Sequence, residues 1–367
     1  MLAIEEVNEK KRRVRALMEE LKLDAVLLRR QSNFSWLTAG RLNLVGIATE
    51  MGAASLLITA EREYVVCNNI EAPRIEREEQ LPAQGYEIRS YPWHENRENE
   101  LIRELSGGGN VGCDSEFPGT REISAYFNPL RYSLTPWEVE RYKALGTLAS
   151  RAVEETIASI EPGEKECAVI GRLAERLWQD RIDFITTFCA ADDRISHYRH
   201  PIATETRIRG RAMLGVNARK WGLIVCLTRF VQFGAVPSEL EKQYAANVHI
   251  DCVLMANTRP GRPVVEAFNK GLEAYIEKGY PEEWKLHHQG GSIGYAGRDY
   301  RVNFQTRDVV QENQGFAWNP SISGTKSEDT MLATSAGPVP LSGPVTFPVL
   351  EMQVDGYTFQ RPAILQK

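Results

Sequence analysis

At 367 residues the chain exceeds what one hydrophobic core usually organises, so two domains are the first expectation. Apolar residues make up 43% and charged residues 25%, the ordinary balance of a globular protein, and the net charge of −5 argues against a binder that tracks nucleic-acid phosphates with a basic face. The start, MLAIEEVNEKKRR, is polar, and no segment approaches a bilayer-spanning apolar run, so a cytoplasmic protein with no nucleic-acid or membrane partner is expected.

From Glu5 to Leu21, Val7, Val14, Leu17, Met18 and Leu21 recur at helical spacing among charged residues and predict an amphipathic helix. Asp24 to Leu28 reads as a buried strand, and Leu56 to Ile58 with Tyr64 to Val66 as a hairpin across a short polar turn. A helix over Asn96 to Leu105 and a strand at Val111 to Cys113 complete a small α/β domain over residues 1–131. The second domain, 132–367, opens on Thr135-Pro136-Trp137-Glu138, which combines an N-cap, a proline at the first helical position and a capping-box glutamate. Its helix runs to about Ile160, where Glu161-Pro162-Gly163 stops it, and a second follows through Ile170, Leu173, Leu177 and Trp178. Strand-like runs come next at Met213 to Asn217, Gly222 to Phe230, Gln314 to Trp318 and Thr330 to Ala333. A helical stretch from Ser238 to Lys278, broken around Pro260 to Pro263, divides them. Cys67, Cys113, Cys167, Cys189, Cys226 and Cys252 lack CxxC spacing, so neither a zinc knuckle nor a disulfide framework is suggested, and all but Cys226 read as buried small hydrophobes.

Several of these segments resemble the creatinase/aminopeptidase P superfamily of Xaa-Pro peptidases, which has the pita-bread fold. Asp24 to Leu28 followed by Ser32 to Gly40 resembles its N-terminal strand and Asn-x-x-Tyr-Leu-Thr-Gly turn, and Glu161-Pro162-Gly163 its Lys-Pro-Gly turn. Gly222, Thr228 and Arg229 match its Gly-Tyr-x-x-Asp-x-Thr-Arg strand, His287, Gly290 and Gly294 its His-x-x-Gly-His-Gly-x-Gly segment, and Glu328-Asp329 its closing Glu-Asp pair. The resemblance implies an α/β (α+β) chain with a small N-terminal domain and a catalytic-type domain built on a six-stranded, curved antiparallel sheet, and a homodimer.

Peptidases of that family hold two metals with two Asp, one His and two Glu, bridging carboxylates that fix the ions and activate a water between them. The resemblance puts those positions at Gly215, Cys226, Gly291, Asn319 and Glu328, so one carboxylate of the set is present. No metal and no cofactor are therefore expected. One exception stays open, a single-ion site in which Cys226, His197, His287 and His288 join Glu328.

Creatinase supplies a precedent for metal-free hydrolysis with a histidine as base and acid. On that precedent the sequence leads to a metal-independent hydrolase cleaving a carbon–nitrogen bond in a small polar substrate. His197 would be the base, His287 a second proton-transfer group and Glu328 an orienter of substrate nitrogen, since a near-neutral imidazole suits general base work. His200, Cys226, Arg229, His288, Arg298 and Asn319 are the candidate substrate-binding residues. The alternatives are a non-catalytic ligand-binding or scaffold protein and an Xaa-Pro metallopeptidase.

Overall fold

In the computed structural model, which describes residues 4–367, the first helix spans Ile4–Leu21 and buries Val7, Val14, Leu17 and Met18, the stripe its spacing predicts. It precedes Ala25–Arg30, whose Ala25 to Leu28 run is fully buried because the strand lies inside a six-stranded sheet. That strand pairs antiparallel with Met51–Thr59 and parallel with Val111–Cys113, so the sheet is mixed. The Asn33 to Gly40 segment departs from the expected turn. Gln31–Leu37 is helical, Thr38 Oγ1 donates to the Phe34 carbonyl at 2.7 Å, and Gly40, at φ +92°, provides the left-handed exit.

Contacts divide the chain into two units between Arg131 and Tyr132. In the second unit the capping box forms: the Thr135 hydroxyl accepts from the Glu138 amide at 3.3 Å, while Glu138 Oε2 accepts from the Thr135 amide at 2.8 Å. The helix it starts, Pro136–Ala158, lies against Leu223–Gln232, with Tyr142 donating its hydroxyl to the Ile224 carbonyl at 2.5 Å. Each fully buried side chain on that strand, Val225, Leu227 and Phe230 among them, contributes roughly 1.5–3 kcal/mol. The broken helical stretch resolves into Ser238–Asn257 and Val264–Glu277.

The two-domain α/β architecture is as the resemblance implies, but the sheet of the second unit differs from a single antiparallel six-stranded one. Two larger sheets are present, beside the two-stranded pairs Ser321–Ile322 with Thr325–Lys326 and Val349–Val354 with Tyr357–Pro362. One runs Tyr300–Arg301, Gly290–Ser292, Gln314–Trp318, Asp329–Thr334, Gly337–Pro340 and is antiparallel throughout. The other runs Leu365–Gln366, Leu223–Gln232, Arg211–Lys220, Asp183–Ala191 and is mixed, because its Leu365–Gln366 edge is parallel. Between them a side chain takes over part of the ladder. Thr330 Oγ1 accepts from the Cys226 amide at 2.7 Å and donates to the Cys226 carbonyl at 3.0 Å, beside a backbone bond from Thr228 to the Glu328 carbonyl at 3.0 Å. This seam brings Cys226, Thr228 and Glu328 together.

All six cysteines are free thiols; Cys226 is buried under the seam, and Cys167, expected to be buried, is exposed. Among the described residues no helix is long and apolar enough to cross a membrane.

Candidate functional site

Three imidazoles converge. His200 follows the short helix Arg194–His197, and His287 and His288 lie between Glu283–Leu286 and the strand Gly290–Ser292. One ring nitrogen from each of His200, His287 and His288 falls within 4.8 Å of the other two, and His287 Nε2 is 3.1 Å from His200 Nε2. Two of the rings, His200 and His287, are held from outside the group. His200 stacks on Phe188 with centroids 5.2 Å apart, the Ser321 hydroxyl lies 3.4 Å from His287 Nδ1, and Gln289 Nε2 donates to the His287 carbonyl at 2.6 Å. The two segments are also clasped to each other. Arg199 Nη2 donates to Glu283 Oε2 at 2.6 Å, and that carboxylate accepts the Ser323 amide at 2.9 Å.

Electrostatics keep these rings neutral at pH 7. Burial, then the charge of Lys326, depresses His287 to about 2, while burial, then Arg298 and Arg301, depresses His288 to about 3. His200 is lowered in the same direction, by desolvation first and Lys326 second. Neutral imidazoles with converging lone pairs are metal donors. His288 Nδ1 is buried and has no hydrogen-bond partner among the described residues.

Beside them lies a buried ion cluster. Glu328 receives the Thr228 hydroxyl at 2.8 Å, Lys326 Nζ at 3.1 Å and Arg298 Nη2 at 3.5 Å. Full burial pushes the Glu328 carboxyl up, but the two cations and the hydroxyl outweigh it and hold it below the usual carboxylate value. Arg298 Nη1 also meets Cys226 Sγ at 3.2 Å, yet burial still pushes that thiol up to about 11, so it is protonated and no nucleophile at neutral pH.

The remaining sequence candidates separate. His197 is exposed, its ring edge-on to Tyr198, and stands outside the imidazole group, so His200 takes the place that the single-ion exception gave to His197. Arg229 is fully buried and committed to Glu154 at 3.2 Å and Asp329 at 3.1 Å, a core role. Asn319 is buried with its amide on the Gln289 carbonyl at 3.0 Å, and its Oδ1 has no partner among the described residues. Sequence reasoning missed Lys326, although Lys326 and Glu328 are two residues apart, the spacing that puts side chains on one face of an extended segment. It also missed Phe188 and the Arg199–Glu283 clasp, for which no local pattern exists.

Residues 10–125 match the Creatinase/Prolidase N-terminal domain, and residues 140–335 match metallopeptidase family M24. The Xaa-Pro dipeptidase of Pyrococcus horikoshii is 21% identical over 356 residues, covering 90% of this chain and 96% of that protein. Among solved structures, the Xaa-Pro dipeptidase from Bacillus anthracis aligns with a TM-score of 0.77 at 19% identity, over 98% of this chain and 100% of that one. The N-terminal domain of FACT complex subunit SPT16 from Cicer arietinum aligns at 0.72 and 12% identity, over 93% and 97%. At such identities the structural likeness carries the fold alone.

These matches and the imidazole group overturn the expectation of a metal-independent carbon–nitrogen hydrolase. The matched family is one of metallopeptidases, and three neutral ring nitrogens converge where the sequence reading expected no metal.

Proposed function

The chain belongs to metallopeptidase family M24, a family of hydrolases, and from that premise we propose a metal-dependent peptidase acting on Xaa-Pro-type amide bonds, its ion held by His200, His287 and His288. The observation that carries this reading is the convergence of three ring nitrogens within 4.8 Å. Support for the reaction class comes from the matched family and from the Pyrococcus horikoshii relative, an Xaa-Pro dipeptidase.

The family's two-metal arrangement does not fit the residues present. Gly215, Gly291 and Asn319 bring no charge, and the Cys226 thiol is protonated. A Cβ at Gly291 would lie 2.2 Å from the Tyr300 carbonyl oxygen, so no histidine fits there without moving the backbone. Glu328 is already neutralised by Lys326 and Arg298, and an ammonium 3.1 Å from the carboxylate opposes a dication at the same place. One ion on three imidazoles meets neither obstacle, and three protein ligands with an open fourth position is the arrangement of catalytic zinc.

An ion bound there supplies Lewis acidity toward the amide carbonyl and lowers the pKa of a coordinated water. The chain's own groups do the rest. Ser321 and the Gln289 amide fix the His287 ring and its backbone, and Phe188 fixes His200. Lys326 and Arg298 keep a field of positive charge beside the imidazoles, suited to a substrate carboxylate.

Zinc uptake by the metal-stripped chain, measured by competition with a chromogenic chelator alongside hydrolysis of Xaa-Pro dipeptides, tests the proposal. One ion per chain is expected, with His288→Ala weakening its binding and abolishing turnover. A chain that takes up no zinc and cleaves no such dipeptide defeats the reading and returns the pocket to a ligand-binding role.

A further inference from the structure

A cleft of about 420 Å³ adjoins the imidazole group and shares two of its members, for His287 and His288 line it together with Phe268, Trp284, Val302 and Phe304. Its volume is that of a small-ligand site. Three rings form an edge-to-face set: Phe268 and Phe304 lie 5.3 Å apart at 80°, Trp284 and Phe304 5.9 Å at 84°, and Phe268 and Trp284 6.5 Å at 88°. Such a set offers both ring faces and ring edges to an apolar guest. Phe268 and Val302 are buried, whereas Phe304 is 52% and Leu286 59% exposed, so the rim presents large apolar surface to water.

Of the polar groups around this cleft, Gln289 and Lys285 are already used, and His288 Nδ1 is the buried atom without a partner among the described residues. Gln289 Nε2 donates to the Trp284 and His287 carbonyls at 3.1 and 2.6 Å, its Oε1 accepts from Tyr275 at 2.9 Å, and Lys285 pairs with Glu282 at 2.6 Å. A charged side chain entering here would be desolvated without a counter-ion, at a cost far above that of an apolar one. The aromatic and aliphatic side of the cleft, Phe268, Trp284, Leu286, Val302 and Phe304, thus adjoins the imidazoles.

We propose that this cleft is the subsite for an aromatic or branched apolar side chain of the peptide substrate, carried on a residue adjoining the amide bond presented to His200, His287 and His288. The assignment rests on the peptidase reading above, and it names the side-chain class that the peptidase would select.

Binding of N-acetyl-L-phenylalaninamide and N-acetylglycinamide to the full chain, without added metal, tests it by NMR titration of the histidine ring resonances. The phenylalanine compound is expected to shift the His287 and His288 signals and to bind about tenfold or more tighter than the glycine compound. Phe304→Ala and Leu286→Ala, at exposed positions where truncation leaves the core intact, should each weaken it about fivefold. Equal binding of the two amides, or no change in either variant, overturns the proposal. So does sedimentation showing that Phe304→Ala only dissociates an oligomer, because the surface would then be an interface between copies. The readout uses neither metal nor turnover, so failure of zinc uptake would remove the peptidase reading while this titration still decides the subsite.

Discussion

Replacing Lys326 by methionine and Glu328 by glutamine, singly and together, asks whether the buried carboxylate belongs to side-chain cations or to an ion. The two side chains are 5% and 4% exposed and 3.1 Å apart, with Arg298 at 3.5 Å and the Thr228 hydroxyl at 2.8 Å. Removing one partner of a buried pair leaves the other unpaired at a cost of ~3–5 kcal/mol. Lys326→Met leaves Glu328 its Arg298 contact and belongs at the low end, about 3 kcal/mol, whereas Glu328→Gln strands two cations and belongs nearer 4 kcal/mol. The double variant leaves only Arg298 without its carboxylate, so it should cost about 3 to 4 kcal/mol rather than the sum, a coupling of roughly 3 to 4 kcal/mol. Urea unfolding of the metal-free chain at pH 7 measures this cycle. The pH dependence has a fixed sign. Because the folded carboxyl lies below its ordinary value, its stabilisation is full above about pH 4.5 and is lost as pH falls through the folded value, a limb that Glu328→Gln should lack. A coupling below about 0.5 kcal/mol would refute the reasoning. So would a Glu328→Gln chain as stable as the parent without metal that loses a stabilisation by manganese seen in the parent, for Glu328 would then be serving an ion.

Gly291→His should not build a metal ligand: with its Cβ 2.2 Å from the Tyr300 carbonyl oxygen the strand pair must open, at a cost of about 3 kcal/mol or more, read as a fall in thermal midpoint. Glu283→Gln breaks the clasp to Arg199 and loosens the segment that carries His200, and should weaken zinc binding about tenfold with little change in thermal midpoint. Zinc affinity unchanged in that variant would mean that the loop carrying His200 is held by other contacts.

The local features of the fold were legible because local chemistry carries them. The Thr135 to Glu138 capping box, the uninterrupted apolar run at Ala25 to Leu28 and the break at Pro260 to Pro263 each state their outcome within a few residues. The division of the second unit's main strands into two larger sheets was not legible, since it turns on Thr330 bonding across the chain to Cys226. Nor does a sequence tell His197 from His200, three residues apart on one segment: Phe188 stacking selects the second. Arg229 matched a strand pattern correctly, yet the same match says nothing of direction, and the side chain is spent on Glu154 and Asp329. Gly291 reads from sequence as an absent ligand, and only the closeness of the Tyr300 carbonyl makes it a closed position.

The field around the imidazoles decides which ion they would hold. An unperturbed imidazole of pKa about 6.5 is only about one-quarter protonated at pH 7, so keeping all three neutral gains roughly 0.2 kcal/mol apiece in competition with protons. The cations that depress His287 and His288 act on the ion as well. A dication and a monocation within one small site repel by several kcal/mol even at an effective dielectric of about 20. The second effect outweighs the first, so binding must come from donor strength, not from charge. Magnesium and manganese, which depend on anionic oxygen, find none free here, because Glu328 is paired with Lys326 and Arg298. Imidazole donors favour zinc or copper, and an affinity series with zinc well above manganese is the expected result in competition titrations. Equal affinity for the two would place the ion on oxygen ligands and away from His200, His287 and His288.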